Sequence, residues 1–259
     1  MCKNPIDLNT ESVFIDLFSK KEYLESLYKA MHPEASGTAG SDDHAGGDAD
    51  EGDTVDPVSD NTKPVPITGI RFTAGGMDSC YDLITFNRGG RIVIVAEMKS
   101  VWTPSILLDL LAEAVNIIYE KLQEHKDENG IEKPDLPGIE FNIIYAKGRR
   151  SGSRVIKLSD EFFGGKKSDF DVKARVFYNG KDNDILAQYA YFCRICEANV
   201  RDFGCTGEAK EKTISACLAK GALMEYLMDE DCADRAFKMV ANSILSRPAR
   251  SPPRRPGNL

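Results

Sequence analysis

Three polar side chains, Asp82, Glu97 and Lys99, occur in two neighbouring segments whose other residues are mostly apolar. The segments cover residues 80–88 and 91–99, and both are rich in the β-branched and aromatic residues that are typical of strands. Carboxylates bind hard divalent cations, and a nearby lysine stabilises negative charge that develops during a reaction. The three residues therefore predict a metal site that could hydrolyse a phosphodiester.

The two residues between these strands, Gly89 and Gly90, predict a two-residue hairpin turn because both tolerate positive φ. With this turn residue 88 faces residue 91, so Asp82 lies directly opposite Glu97, and Lys99 follows on the same face. Opposed side chains have Cβ atoms about 4.5–5.5 Å apart, and like charges there repel each other. A bound Mg²⁺ would relieve the repulsion. The alternative is a buried salt cluster in which Lys99 neutralises both acids.

Helical and strand-like segments surround this hairpin. Residues 10–31 have apolar residues at helical spacing, and Thr10 is a candidate N-cap. Thr103 and Pro104 open a second helix with an apolar stripe from Ile106 to Leu122. The order predicts an α/β fold with a mixed sheet core, flanking helices and a C-terminal helical extension. The remaining predictions are a polar loop at 126–138, strands near 139–146 and 171–178, and helices near 184–203, 207–228 and 231–246.

The composition predicts a soluble domain with two disordered additions. The chain has 259 residues, of which 42% are hydrophobic and 29% charged. Residues 34–60 contain nine acids and no Lys or Arg, so the net charge of -8 becomes +1 without them. We expect a core at 1–180 with a disordered insert at 34–66, a helical region at 181–246 and a disordered Arg/Pro tail at 247–259. No long apolar run or secretory h-region is present, which indicates a cytoplasmic protein with no membrane partner.

A basic segment follows the strand at 139–146. Lys147, Arg149, Arg150, Arg154 and Lys157 place five basic residues within eleven, with no acid among them. Such a segment can contact nucleic-acid phosphates without regard to sequence. An ordinary solvated loop is the alternative. Because the acidic insert accounts for the low pI, net charge does not argue against a DNA partner.

Six blocks of the sequence span most of the chain outside the insert and the tail. In order, they are ESVFIDLF (11–18), YDLITF (81–86), IVAEMKSVWTPSILL (94–108), IEFNIIYAKG (139–148), ILAQYAYFCRI (185–195) and ACLAKGALMEYL (216–227). Together they resemble the Rpn-like recombination-promoting nucleases of the PD-(D/E)xK superfamily, a group also classed with transposases.

The resemblance implies a restriction-endonuclease-like fold and Mg²⁺- or Mn²⁺-dependent cleavage of DNA, linked to recombination or transposition. Asp82 would be the strand acid, Glu97 and Lys99 the ExK pair, and Glu11 an additional acid. Lysine stands where relatives often have glutamine, which favours activity, whereas Asp109 stands where relatives often have arginine. A catalytically inactive module that binds DNA or protein is the rival interpretation. The oligomeric state is open, with a homodimer as one option.

Overall fold

A computed structural model describes residues 12–33, 67–73, 81–99, 102–129, 136–146, 152–166, 171–181 and 183–245. Glu11, the segment predicted as an insert and the C-terminal tail lie outside these ranges. The described strands are β1 (Thr68–Thr73), β2 (Tyr81–Arg88), β3 (Arg91–Met98), β4 (Gly138–Ile144), β5 (Ser153–Lys157) and β6 (Lys173–Phe177). The described helices are α1 (Val13–Phe18), α2 (Lys21–Met31), α3 (Ile106–Asn129), α4 (Leu158–Phe163), α5 (Ile185–Phe203), α6 (Gly207–Lys220), α7 (Met224–Met228) and α8 (Glu230–Leu245).

The strands form one six-stranded mixed sheet in the order β1-β2-β3-β4-β6-β5. Strands β1, β2 and β3 are antiparallel neighbours, whereas β3, β4 and β6 run parallel and β5 is antiparallel to β6. A parallel pair needs a long crossover connection, and α3 lies in the connection between β3 and β4. The prediction of a mixed α/β fold with flanking helices is confirmed.

The hairpin between β2 and β3 has the predicted register. Gly89 and Gly90 adopt φ values of 57° and 74°, and no atom of the described residues lies within 4 Å of a Cβ built at either position. Two successive positive φ values are typical of the turn that matches the twist of paired strands. Asp82 is therefore paired with Glu97 across the two strands.

Each face of the sheet buries a separate apolar core. On one face, Ile84 and Val95 pack with α1, α2, α5, α7 and α8 in the larger core. On the other face, Leu83 and Ile94 pack mainly with α3. The C-terminal helices therefore cover the face that carries Asp82 and Glu97. None of the described helices is long and apolar enough to cross a membrane.

Several element boundaries differ from the predictions. The segment expected to be one helix at 10–31 is broken at Ser19 and Lys20, because Lys20 has an extended backbone with ψ of 127°. The N-cap of α1 is Ser12, so the prediction of Thr10 as the N-cap is wrong. Helix α3 continues to Asn129 into the expected loop. The predicted helix at 207–228 is two helices, since Gly221 ends α6 in the left-handed conformation.

Candidate metal centre

The paired acids lie at the end of an apolar sheet face. Asp82 is the second residue of β2 and its side chain is completely buried. Glu97, the seventh residue of β3, is directly opposite and partly buried. Ile84 and Val95 form the next pair on this face, and both are buried in the larger core. Two carboxylates thus project from a surface that otherwise excludes water.

The contacts of Asp82 include a cation and a hydroxyl. The Lys99 ammonium lies 2.5 Å from Asp82 Oδ1, and the Ser12 hydroxyl donates a hydrogen bond to Oδ2. Ser12 is also the N-cap of α1, because its oxygen accepts a 3.5 Å hydrogen bond from the Ile15 N–H. The Lys99 side chain is 28% exposed, so it is in contact with solvent as well as with the buried Asp82 carboxylate. Lys99 therefore lies beside Asp82, as the hairpin register predicts.

Glu97 is held by a different element. The Tyr189 hydroxyl, on α5, donates a 2.6 Å hydrogen bond to Glu97 Oε1. The Tyr189 ring packs edge-on against Phe18 of α1, with 5.8 Å between ring centroids. Burial, together with the nearby Cys193 and Glu97, raises the pKa of Tyr189 well above its usual value. The phenol therefore keeps its proton and donates it in the hydrogen bond that fixes one oxygen of Glu97.

The donor set fits a cation that takes few protein ligands. Mg²⁺ typically binds one or two carboxylates and completes its coordination with water and substrate oxygens. Within the described ranges, no group of three or more His, Cys, Asp or Glu side chains could hold a metal. Asp82 and Glu97 therefore offer a pair of hard oxygen ligands, not a closed protein cage. A cation at Asp82 would compete with the Lys99 ammonium for the same carboxylate.

Only part of the predicted nucleic-acid surface falls within the described residues. Arg154 is exposed on β5, an edge strand of the described sheet, and its guanidinium lies 5.5 Å from the centroid of the Trp102 ring. Lys147, Arg149 and Arg150 lie outside the described residues. Glu11 does too, although its chain neighbour Ser12 contacts Asp82.

Sequence reasoning did not single out Ser12 or Tyr189 as site residues. Ser12 had a usable signal, because serine is a preferred N-cap before an apolar helical segment. Tyr189 had none, since an aromatic residue on the apolar face of a helix is normally a core residue. Its hydroxyl reaches Glu97 only because α5 packs across the sheet face.

A second polar cluster occupies the same sheet face beside β4. Asn142 Nδ2 donates to Glu140 Oε1 at 2.8 Å, and His32 Nε2 lies 2.8 Å from the same oxygen. Burial alone would raise the pKa of Glu140, but the hydrogen bonds from His32 and Asn142 and the charges of His32 and Arg175 outweigh it and lower the pKa. Asn142 is fully buried, and its Oδ1 has no hydrogen-bond partner among the described residues. This cluster holds α2 against β4.

Two of the described cysteines, Cys196 and Cys217, are packing residues. Cys196 and Cys217 are fully buried. Burial, with a smaller effect of the neighbouring Cys217, raises the pKa of Cys196 to about 12, and burial raises that of Cys217 to about 11. These thiols therefore stay protonated at neutral pH and are poor metal ligands, because the thiolate is the form that binds metal.

Comparisons of the chain with protein-family models, with curated proteins and with solved structures return no match. The chemistry of Asp82, Glu97 and Lys99 therefore carries the functional proposal.

Proposed function

We propose that this protein is a Mg²⁺-dependent endonuclease that hydrolyses DNA phosphodiester bonds, on a core of the restriction-endonuclease type. The observation that carries the proposal is the directly opposed pair Asp82 and Glu97, with Lys99 against the buried acid. Opposed carboxylates at the end of an apolar face are costly unless a cation or another compensating group accompanies them. The sequence resemblance supports the same reaction and a role in recombination or transposition.

Asp82 and Glu97 would hold the cation, with Mn²⁺ able to replace Mg²⁺. When bound, the ion lowers the pKa of a water molecule and neutralises charge on the scissile phosphate. Lys99 keeps a positive charge beside Asp82, where it can orient the attacking water and stabilise the negative charge of the transition state. Ser12 and Tyr189 fix the two carboxylates. Glu11 would add a further acid next to Ser12.

The test is nicking of supercoiled plasmid by the purified protein in the presence of Mg²⁺ or Mn²⁺. We expect Asp82→Ala and Lys99→Ala each to lower the rate by about 100-fold or more, as removal of a charge-stabilising group does. Asp234→Ala and Lys210→Ala are matched controls, because they break a 3.0 Å ion pair in the C-terminal helices. An inactive wild-type protein, or site variants that cleave like the controls, would refute the enzymatic proposal. An RNA substrate tested in parallel distinguishes the two nucleic acids.

A catalytically inactive binding module is the second candidate. This candidate is favoured because each oxygen of Asp82 already has a partner, Lys99 at Oδ1 and Ser12 at Oδ2, as in a structural salt cluster. Mg²⁺ titration during thermal unfolding separates the two functions. A ligand at 100 times its Kd stabilises a protein by about 2.7 kcal/mol, so a nuclease should show a saturable rise in stability. DNA binding without any Mg²⁺-linked stabilisation would favour the binding module.

A further inference from the structure

A pocket of ≈ 200 Å³ opens on α5 away from the Tyr189–Glu97 contact. One wall is a single face of the helix, where Ala187, Ala190, Tyr191 and Arg194 recur at spacings of three and four residues. The other lining residues are Asn179 and Asn183, which lie between β6 and α5, and Lys220, the last residue of α6. Tyr189 lies in the same turns of α5 but packs into the core. The pocket is therefore separate from the candidate metal centre.

The charge pattern of the C-terminal helices distinguishes this pocket. Between residues 183 and 245 there are seven Lys and Arg side chains, and five of them form ion pairs with acids. The two that form none within the described structure are Arg194 and Lys220, and both line the pocket. No acidic side chain lies among the described residues that line it. Two cationic side chains thus line a concave site in which the described lining residues include no acid.

The other lining groups suit an anion. Asn179 and Asn183 contribute side-chain amides, each with two N–H donors. The Arg194 guanidinium lies 5.5 Å from the centroid of the Tyr191 ring, a cation–π contact that restrains it at the rim. Arginine and lysine together are the usual ligands of phosphate groups in proteins. We propose that this pocket binds a phosphate group.

The size of the pocket limits the ligand. Sites for drug-sized molecules have volumes of about 300–1,000 Å³, and this pocket is smaller. It has room for a phosphate and part of the group attached to it. The phosphate could come from a free nucleotide or from the backbone of a nucleic acid, because both present the same oxygens to Arg194 and Lys220. The inference does not depend on the proposed nuclease activity.

The experiment measures ligand binding by titration calorimetry on the full chain in the presence of EDTA, which removes any divalent cation. The ligands are deoxyadenosine monophosphate, deoxyadenosine, which lacks the phosphate, and a short single-stranded oligonucleotide. Arg194→Gln and Lys220→Gln remove the pocket charges. Arg201→Gln and Lys212→Gln are matched controls, since they remove ion-paired cations from the same two helices. All four side chains are exposed or paired at the surface, so urea unfolding should give the same free energy of unfolding as for the wild type.

We expect each pocket variant to weaken phosphate binding at least about tenfold, since hydrogen bonds to a charged group are among the strongest in proteins. The controls should change it less than about twofold. A nucleotide site would be identified if the wild type binds the nucleotide but not deoxyadenosine, and if the pocket variants lose this nucleotide binding. Binding of the oligonucleotide alone would identify a backbone contact. In that case the slope of log K against log salt concentration should be lower in magnitude in the pocket variants, by about 0.7 per lost phosphate contact.

Absence of phosphate-dependent binding to both ligands would overturn the proposal, and so would equal losses in the pocket and control variants. Neither result bears on metal-dependent cleavage, because no divalent cation is present in this experiment. The two proposals therefore succeed or fail independently.

Discussion

The hydroxyl of Ser12 donates a hydrogen bond to the carboxylate of Asp82, 70 residues later in the chain. The same oxygen of Ser12 caps α1, so one side chain both starts the first helix and anchors it to the buried acid of the candidate site. The position of α1 and the orientation of Asp82 are consequently linked.

This double role makes Ser12→Ala more damaging than loss of a helix cap. A lost N-cap costs about 1 kcal/mol, and a lost hydrogen bond to a charged group adds about 1.5–3 kcal/mol. We expect a total loss of about 2–4 kcal/mol in the free energy of unfolding, measured with urea. Thr206→Ala is the control, because Thr206 caps α6 through a 3.3 Å hydrogen bond from Ala209 but lies at an exposed position. Equal losses in the two variants would show that the Ser12–Asp82 contact contributes nothing.

Lys99→Met tests whether Asp82 needs a cation. Removing one partner of a buried ion pair costs about 3–5 kcal/mol, and we expect about 2–4 kcal/mol here because Lys99 is 28% exposed. Urea unfolding with and without Mg²⁺ is the measurement. If Asp82 and Glu97 bind metal, excess Mg²⁺ should restore more stability to Lys99→Met than to the wild type, since the competing ammonium is gone.

The control for this prediction is Lys210→Met. Lys210 pairs with Asp234 at 3.0 Å, but Asp234 is 34% exposed and has Lys238 as a second partner. Its loss should cost much less stability than the loss of Lys99, because exposed ion pairs contribute little, and it should not respond to Mg²⁺. A Lys99→Met protein as stable as the control would contradict a requirement for a cation at Asp82.

Gly180 is required by the turn that leads into α5. A Cβ at this position would lie 1.8 Å from Asp184 Oδ1 and 2.4 Å from the Ala187 nitrogen, two atoms that form the N-cap hydrogen bond of α5. We expect Gly180→Ala to destabilise the protein by about 2–3 kcal/mol through a lost cap and local overpacking. Gly207→Ala, at the start of α6 with nothing within 4 Å, should be neutral or stabilising. The Tm should therefore fall for Gly180→Ala and stay unchanged or rise for Gly207→Ala, and a neutral Gly180→Ala would refute the steric argument.

The Glu140 cluster predicts a dependence of stability on acid pH. The pKa of Glu140 is below its ordinary value of 4.5 in the folded protein, so folding favours the carboxylate. Its contribution is fully present above about pH 4.5 and is lost as the pH falls through the lower folded pKa. Urea unfolding from about pH 3 to about pH 7 should therefore show a shallower acid decline for Glu140→Gln than for the wild type. Glu208→Gln, which alters an exposed ion pair, should leave the profile unchanged.

Local patterns predicted the hairpin and the acids that it brings together. The turn length fixes which residues are paired, so the Asp82–Glu97 pair follows from Gly89 and Gly90 alone. The partners of these acids could not be predicted in this way. Ser12 and Tyr189 are 70 and 92 residues from the acids that they contact, and no local signal indicates which helix covers which strand.

Short or irregular elements also escaped prediction. Strand β1 contains Gly69 with φ of 59°, and its register with β2 shifts between Thr68 and Arg71. Such a bulge interrupts the alternation by which strands are recognised. Helix α4 has only six residues and follows β5 directly, so it offers too little periodicity to be recognised.

Helices from the two ends of the described chain share one core, and this affects folding during synthesis. Tyr226 donates a hydrogen bond to Asp16, 210 residues away, and Lys20 Nζ lies 3.2 Å from Cys232 Sγ. Translation at about 5–20 residues per second delays α8 by on the order of 10 s after β3 is made. During that interval the apolar face that carries Asp82 and Glu97 has no complete cover. The nascent chain is therefore exposed to aggregation and to chaperone binding at the very surface that later forms the candidate site.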